Sequence, residues 1–511
     1  MPAGPRRTVG ELMSAPVVTA TPSETVAEAA ARMNDRRVGS VVVVDGQRPI
    51  GILTERDLVR FAATGADASG TKVSEWMTDD PDIVAPTLDA GEAFASLASH
   101  GYRHIPVVDD GALVGIVSMR DVMRVAQIQP VVAPGTIEAP PGLEGVIVAD
   151  TSVGDVRGTE GFYHYREYSA VDLADKRTLE DVWFLLFEGA LPDEVQRVTF
   201  MDEIRQYRVI PEPVLEVLPR LAASSANVME AVRTAVSFLG AAEGFRPTLD
   251  LDHAERRRNA MQACAVIPTL IMATHRLRAG DEPILPHPDL GYGANYLWML
   301  TGELPDADVA RAIEQYQTTT IDHGFNASTF AARVITSSGA DVAAAVVGGI
   351  GALSGPLHGG APRRALDLLD AIGTPERARS YLVDAVERGE RIMGFGHRVY
   401  RTDDPRSVFL RGVAERIGAS KVEFAKQVER TVVDVLAELK PGRNLYANVE
   451  FYAGVVMDHC GLPRDLFTPT FASSRVIGWC ANILEQAADN RIIRPSARYI
   501  GAPPPQPVPD A

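Results

Sequence analysis

Cysteine is scarce in this chain: three residues in 511, Cys264, Cys460 and Cys480, with no CxxC pair and no histidines beside them at metal-ligand spacing. That excludes a disulfide framework and a thiolate metal cluster, and leaves three thiols expected to be buried in a reducing compartment. Positive charge is also short. Fifty Lys and Arg against 67 Asp and Glu give a formal net charge of −17, which argues against a nucleic-acid partner and requires that any anionic ligand be held by locally clustered arginines. Long apolar runs are missing too. The stretch Val342 to Leu357 is too short for a bilayer span and rich in glycine, so it reads as a tightly packed core helix. The opening MPAGPRRTVGELMSAP has no apolar segment of the signal-peptide kind. The expectation is a soluble, cytoplasmic protein without a membrane segment, metal or cofactor, long enough for more than one domain.

What the chain does contain begins with an internal repeat. Residues 12–59 and 76–123 superpose without gaps at an offset of 64: Met13 on Met77, Pro22 on Pro86, Glu28 on Glu92, Asp45 on Asp109, Gly51 on Gly115, Asp57 on Asp121. Each copy reads as a helix (Val26 to Asn34 in the first), a strand (Ser40 to Val44), a turn, a second strand (Ile50 to Thr54) and a helix. Two strands are too few for an independent core, so the copies should pack together.

The repeat resembles a pair of cystathionine-β-synthase-type (CBS) domains, carried by GILTERDL (51–58) and GIVSMRDV (115–122). The resemblance implies that Thr54 with Asp57, and Ser118 with Asp121, contact the ribose of an adenine nucleotide (ATP, ADP or AMP). A carboxylate can accept hydrogen bonds from both hydroxyls of a diol, and a helix N-terminus favours phosphate. The same Thr–Asp and Ser–Asp pairs also fit a helix capping box, which needs no ligand.

After the tandem repeats (about 8–63 and 72–127, within 1–127), the segment 128–142 carries four prolines and reads as a semi-rigid linker, and the Pro-rich tail 502–511 reads as disordered. Between them, 143–501 is mostly helical in pattern, with apolar residues three and four apart over Thr178 to Glu188, Asn227 to Leu239, Ala254 to Leu277 and Ala307 to Thr319. Strand-like runs are few: Gly145 to Ala149 and Phe162 to Tyr165. The predicted architecture is multidomain, an N-terminal α/β pair followed by a mainly all-α domain with a smaller helical lobe.

Chemistry concentrates between Gly355 and Arg406, which opens with GPLHGGAP and closes with MGFGHRVYRTDDPR. His358 and His397 each sit among glycines, where backbone amides can approach a ligand. Leucines at helical spacing from Arg363 to Ala371 place His358 just before a helix N-terminus, whose positive end keeps an imidazole neutral and able to donate to a developing enolate. In IDHGFNAST (321–329), one helix is read as ending at His323 and Gly324 and another as starting with Asn326 or Ser328 as N-cap.

GPLHGG, GFGHRVY with DPR following, and NVEFY (448–452) resemble, in order, the signature of the citrate synthase family, over about Gly142 to Gly501. That resemblance implies a helical synthase fold and condensation of acetyl-CoA with oxaloacetate, followed by thioester hydrolysis. It assigns His358, His397 and Glu450 to catalysis, with Glu450 as the base where the family usually has aspartate. It assigns His323, His397, Arg406, Arg475 and Arg494 to oxaloacetate, and Ile392, Gly394, Phe395, Gly396 and Arg401 to CoA. Forked guanidinium groups suit carboxylates as lysine would not. Arg494 matches an arginine that reaches the active site of the other subunit, so a homodimer or larger homo-oligomer is expected. A 2-methylcitrate synthase using propionyl-CoA shares the catalytic set, because one methylene discriminates by only about 1–3 kcal/mol. From another class, a nucleotide-sensing protein with an inactive synthase domain also fits.

Overall fold

The computed structural model describes residues 8–36, 38–89, 93, 104–118, 138–358, 361–396, 399–440 and 445–501. The chain divides into two units, Met1–Val146 with Pro495–Ala511, and Ile147–Arg494.

In the first unit, strand β1 (Thr19–Ala20) runs parallel to β2 (Ser40–Asp45), which pairs antiparallel with β3 (Arg48–Thr54), and β3 with β4 (Thr78–Asp79). The second repeat forms the corresponding hairpin of β5 (His104–Asp109) and β6 (Ala112–Ser118). The repeat extends to its irregularities: a register shift falls between Val43 and Val44 in one hairpin and between Val107 and Val108 in the other. Val41, Val42 and Val43 of β2 are buried, and Val41 and Val43 share a core with Ala29 and Met33 of the Val26–Arg36 helix. The two copies exchange their leading segments. Val73, Trp76 and Met77 pack in the core of the first sheet, whereas Val9, Leu12 and Met13 pack in that of the second. A β-carbon on Gly51 would lie 2.9 Å from Met77 Cγ, and one on Gly115 2.7 Å from Met13 Cγ, so glycine is what admits each methionine.

The second unit opens with a small antiparallel sheet, β7 (Gly154–Arg157), β8 (Phe162–Tyr165) and β9 (Tyr168–Ser169), and is otherwise helical. Its axis is a pair of long helices, His253–Ala279 and Phe467–Ala488, buried over much of their length because apolar and small residues cover every face rather than one stripe. Side chains of Thr178, Asp252, Asn326, Asp341 and Asn448 accept backbone N–H groups at helix starts, as their positions in the sequence require. The helices Ala361–Ile372, Pro375–Glu387, Pro405–Arg416 and Val422–Leu439 join the same continuous core. Cys264, Cys460 and Cys480 are free and buried, as expected. Among the described residues no helix is long and apolar enough to cross a membrane.

Three local expectations are corrected. Gly145 to Ala149 is not a strand: Val146, Ile147 and Val148 are exposed and pair with nothing in a sheet, and alternation without a partner strand does not make one. The helix expected to reach His323 stops at Thr319, where the hydroxyls of Thr318, Thr319 and Thr320 turn back onto the carbonyls of Glu314 and Tyr316. The helix from Val342 ends at Leu353 rather than Leu357, since Pro356 disfavours helical backbone at the residue before it.

Candidate active site

The segment between the helices Ala307–Thr319 and Ala327–Ser337 carries His323, whose Nε2 lies 2.9 Å from Tyr400 Oη. Asp322 beside it is buried; its carboxylate accepts Gly324 N–H at 3.0 Å and the Asn482 amide at 3.3 Å. Burial raises the Asp322 carboxyl to about 6, with Arg475 and the donated N–H groups pulling the other way.

Arg475 lies 1% exposed on the Phe467–Ala488 helix, its Nε donating to Thr320 O at 2.8 Å and its guanidinium 4.6 Å from the Phe471 ring centroid. Burial lowers its pKa despite Asp322, so the guanidinium is under-compensated: this part of the interior favours a bound anion. Arg406 is treated differently. Burial alone would lower its pKa, yet the net shift is upward because Asp404 faces it at both ends, Nε to Oδ1 at 3.0 Å and Nη2 to Oδ2 at 2.8 Å. Asp404 also caps the Pro405–Arg416 helix and accepts Val449 N–H at 3.1 Å.

That last bond brings in the base candidate. Glu450 stands in the first turn of the Val449–His459 helix, capped by Asn448, whose Oδ1 accepts Glu450 N–H at 3.1 Å. A helix N-terminus should stabilise its carboxylate, but burial prevails and raises it to about 8, with Arg406 partly offsetting. Glu450 Oε2 is buried with no hydrogen-bond partner among the described residues. The expected CoA loop runs alongside: Asn448 N–H donates to Gly394 O at 2.9 Å, Gly396 N–H to Tyr446 O at 2.8 Å, and Asn448 Nδ2 to Gly396 O at 3.0 Å. Phe395 packs on Phe451 with ring centroids 4.9 Å apart, and Ile392 lies against the core.

His358 lies three residues before the Ala361–Ile372 helix, as expected. Burial first, and the positive charge of Arg475 second, lower its imidazole to about 4, so it is neutral at physiological pH. Its Nε2 is 2.8 Å from Ser328 Oγ, which accepts the Trp479 indole N–H at 3.1 Å and donates to Asn326 Oδ1 at 2.7 Å. Asn326 Oδ1 also accepts the N–H groups of Ser328 and Thr329, so this serine links the imidazole to the cap of the Ala327–Ser337 helix.

The structure therefore gathers Arg406, Arg475 and Glu450 into one buried set of interacting charges, with His358 bearing on it through Arg475. Arg401 is exposed, and Arg494 is exposed on the segment after the Phe467–Ala488 helix. His397 lies outside the described residues, and so does Asp121. In the first unit Thr54 N–H and Oγ1 both reach Asp57 Oδ2, at 3.0 and 2.6 Å, at the start of the Glu55–Ala62 helix; Ser118 ends β6. Sequence reasoning did not single out Asp404, Asp322, Tyr400 or Trp479, although Asp404 before Pro405 has the form of a helix cap. Ser328 was weighed only as a cap. Among the described residues no group of His, Cys, Asp and Glu converges as metal ligands would.

A family model for the citrate synthase C-terminal domain matches residues 142–496, and one for the CBS domain matches 9–64 and 73–127. The chain is 40% identical over 381 residues to a 2-methylcitrate synthase of Mycobacterium tuberculosis, covering 74% of this chain and 95% of that one. It is 35% identical over 366 residues to a citrate synthase of Deinococcus radiodurans, covering 71% and 95%. Among solved structures it resembles citrate synthase of Thermotoga maritima (TM-score 0.64, 32% identity, 72% and 98% covered). It also resembles the ternary complex of the Thermoplasma acidophilum citrate synthase with carboxymethyl coenzyme A and oxaloacetate (TM-score 0.68, 28% identity, 73% and 99% covered).

Proposed function

The chain belongs to the citrate synthase family, and from that premise we propose that it condenses acetyl-CoA with oxaloacetate to give citrate and free CoA. The observation that carries this reading is the buried set of Glu450 with Arg406 and Arg475: Glu450 Oε2 has no hydrogen-bond partner among the described residues, and burial raises its carboxyl to about 8, which makes its ionised form a stronger base than an exposed glutamate. His358 hydrogen-bonds the thioester oxygen and stabilises the enol as it forms. The new carbon–carbon bond forms at the oxaloacetate ketone, which His397 polarises, while His323, Arg406 and Arg475 hold the dianion. Water then cleaves the thioester, and the sulfur leaves as CoA thiol. The segment from Ile392 to Gly396 receives CoA, with Arg401 towards its phosphates. Arg494 completes the oxaloacetate site of a second subunit, making the working form at least a homodimer.

Propionyl-CoA, giving 2-methylcitrate, is the second reading, favoured by the likeness to the mycobacterial 2-methylcitrate synthase. Thiol release measured with acetyl-CoA, with propionyl-CoA and without acyl donor, each with oxaloacetate, separates the two. Release with neither donor would overturn both. In the same assay, mixed His358→Ala and Arg494→Ala chains that exchange subunits are expected to regain activity that neither has alone; none would count against the shared site.

Regulation is the role we propose for the CBS pair, with an adenine nucleotide as effector at Thr54 and Asp57, and at Ser118 and Asp121. Such coupling typically amounts to about 1–3 kcal/mol, or roughly 5- to 150-fold in affinity. At saturating acyl-CoA, which removes competition at the active site, at least one of ATP, ADP and AMP should change the oxaloacetate kinetics of the intact protein. A chain lacking residues 1–141 should remain active and lose that response. Equal responses in both would exclude the CBS pair as the sensor.

A further inference from the structure

The β7–β8 hairpin belongs to no part of the chemistry above, yet it touches both segments that carry the dicarboxylate ligands. On one side Tyr165 Oη donates towards Thr318 O at 3.0 Å and Asp322 O at 3.2 Å, and Tyr163 Oη to Thr319 O at 3.2 Å, gripping the chain that leads into His323. On the other side the guanidinium of Arg406 lies 6.0 Å from the Tyr163 ring centroid, and Arg401 N–H donates to Gly158 O at 3.0 Å. The approach at the tip is close. A β-carbon on Gly158 would fall inside the envelope of the Val399 carbonyl oxygen, 2.7 Å from the carbonyl carbon, and one on Gly161 would lie 2.8 Å from Thr402 Oγ1. Both tyrosines are buried, so the hairpin cannot slide without breaking these bonds.

We infer that this hairpin is a positioning element of the dicarboxylate site: Gly158 and Gly161 set where the 399–406 segment stands, and Tyr163 and Tyr165 set the segment before His323. The inference rests on the reading that Arg406 and His323 bind oxaloacetate. At Gly158 the obstacle is backbone, which has nowhere to go except by moving the segment. At Gly161 it is a side-chain hydroxyl, and the glycine sits at φ 62°, where an L residue is strained whatever the space.

Gly158→Ala is expected to raise KM for oxaloacetate by about tenfold or more, as misplacement of a binding group by about 1 Å would, with Glu160→Ala in the exposed turn staying within about twofold of the parent. A merely structural role would lower the folded fraction, and with it the apparent kcat, and leave KM unmoved. Gly161→Ala should raise the same KM through backbone strain and the Thr402 hydroxyl together, and adding Thr402→Ala should reverse the part that the hydroxyl causes, a partial rescue that general destabilisation does not produce. This pair also serves if Gly158→Ala fails to fold. Deuterium uptake by the backbone of 399–406 should rise in Gly158→Ala or Gly161→Ala whatever the substrate proves to be, so an inactive parent protein would refute the proposed reaction and leave the positioning to be decided by exchange. Unchanged uptake in the folded variants or unchanged KM would overturn the inference.

Discussion

Glu450→Gln is expected to lower CoA release by about 10²- to 10⁴-fold, the usual weight of a general base, while oxaloacetate still binds, because the change removes the base and leaves both arginines in place. Calorimetric titration with oxaloacetate beside a thiol assay reads the two effects separately; normal turnover would remove Glu450 from the mechanism. The same residue sets a pH dependence. Only the ionised form can accept a proton, so with the carboxyl raised to about 8 the kcat/KM of the parent should climb as pH rises through about 8. The stability effect has the opposite sign. A carboxyl held above its ordinary pKa of 4.5 favours folding most below that value, and the contribution is lost as pH rises through about 8. Glu450→Gln should therefore gain stability relative to the parent over that interval, measured as the difference in urea midpoints. Glu450→Asp tests reach. Asn448 is bonded to Gly394 and Gly396, and Val449 N–H to Asp404, so the backbone cannot readily advance to make up for a shorter side chain. A displacement of about 1 Å then costs on the order of 100-fold, although aspartate is the family's usual residue.

The second large effect is expected at Asp404. Its carboxylate holds Arg406 at two points and Val449 at a third, with both members of the pair almost wholly out of water. Removing one partner of such a pair strands the other charge, and Asp404→Ala should cost about 3–5 kcal/mol of stability. It should also raise KM for oxaloacetate, since the released guanidinium loses its orientation. Replacing the pair together, Asp404→Ala with Arg406→Met, should recover much of the stability and none of the activity. A single variant as stable as the parent would show that Arg406 finds another counter-charge.

How much of this was legible depends on distance along the chain. The repeat, the glycine-flanked histidines and the helix cap at Asn326 are local patterns, and the structure bears out the cap and the duplicated hairpin. His358 was readable as preceding a helix, but its contact with Ser328, 30 residues earlier, was not, since nothing local marks a serine in a helix's first turn as an imidazole's partner. Asp404 was hidden by its own ordinariness as a cap before proline. The misread strand at Gly145 to Ala149 shows the converse: apolar spacing states a preference, and only a neighbouring strand satisfies it. The Thr54–Asp57 contact was anticipated as a cap, and the bond between them is equally what a nucleotide would have to engage.

The exchanged segments of the first unit bear on descent. Met13 fills the space over Gly115 and Met77 the space over Gly51, so each repeat finishes its partner's sheet. In a chain encoding a single repeat, the space over the sheet glycine would lack the segment that fills it here, and a second molecule could supply it. The arrangement is the one that two single-repeat chains would reach by exchanging leading segments and being joined end to end, with contacts between chains becoming contacts between repeats. A cut between the repeats is accordingly no boundary: half of the pair expressed alone should assemble with another half.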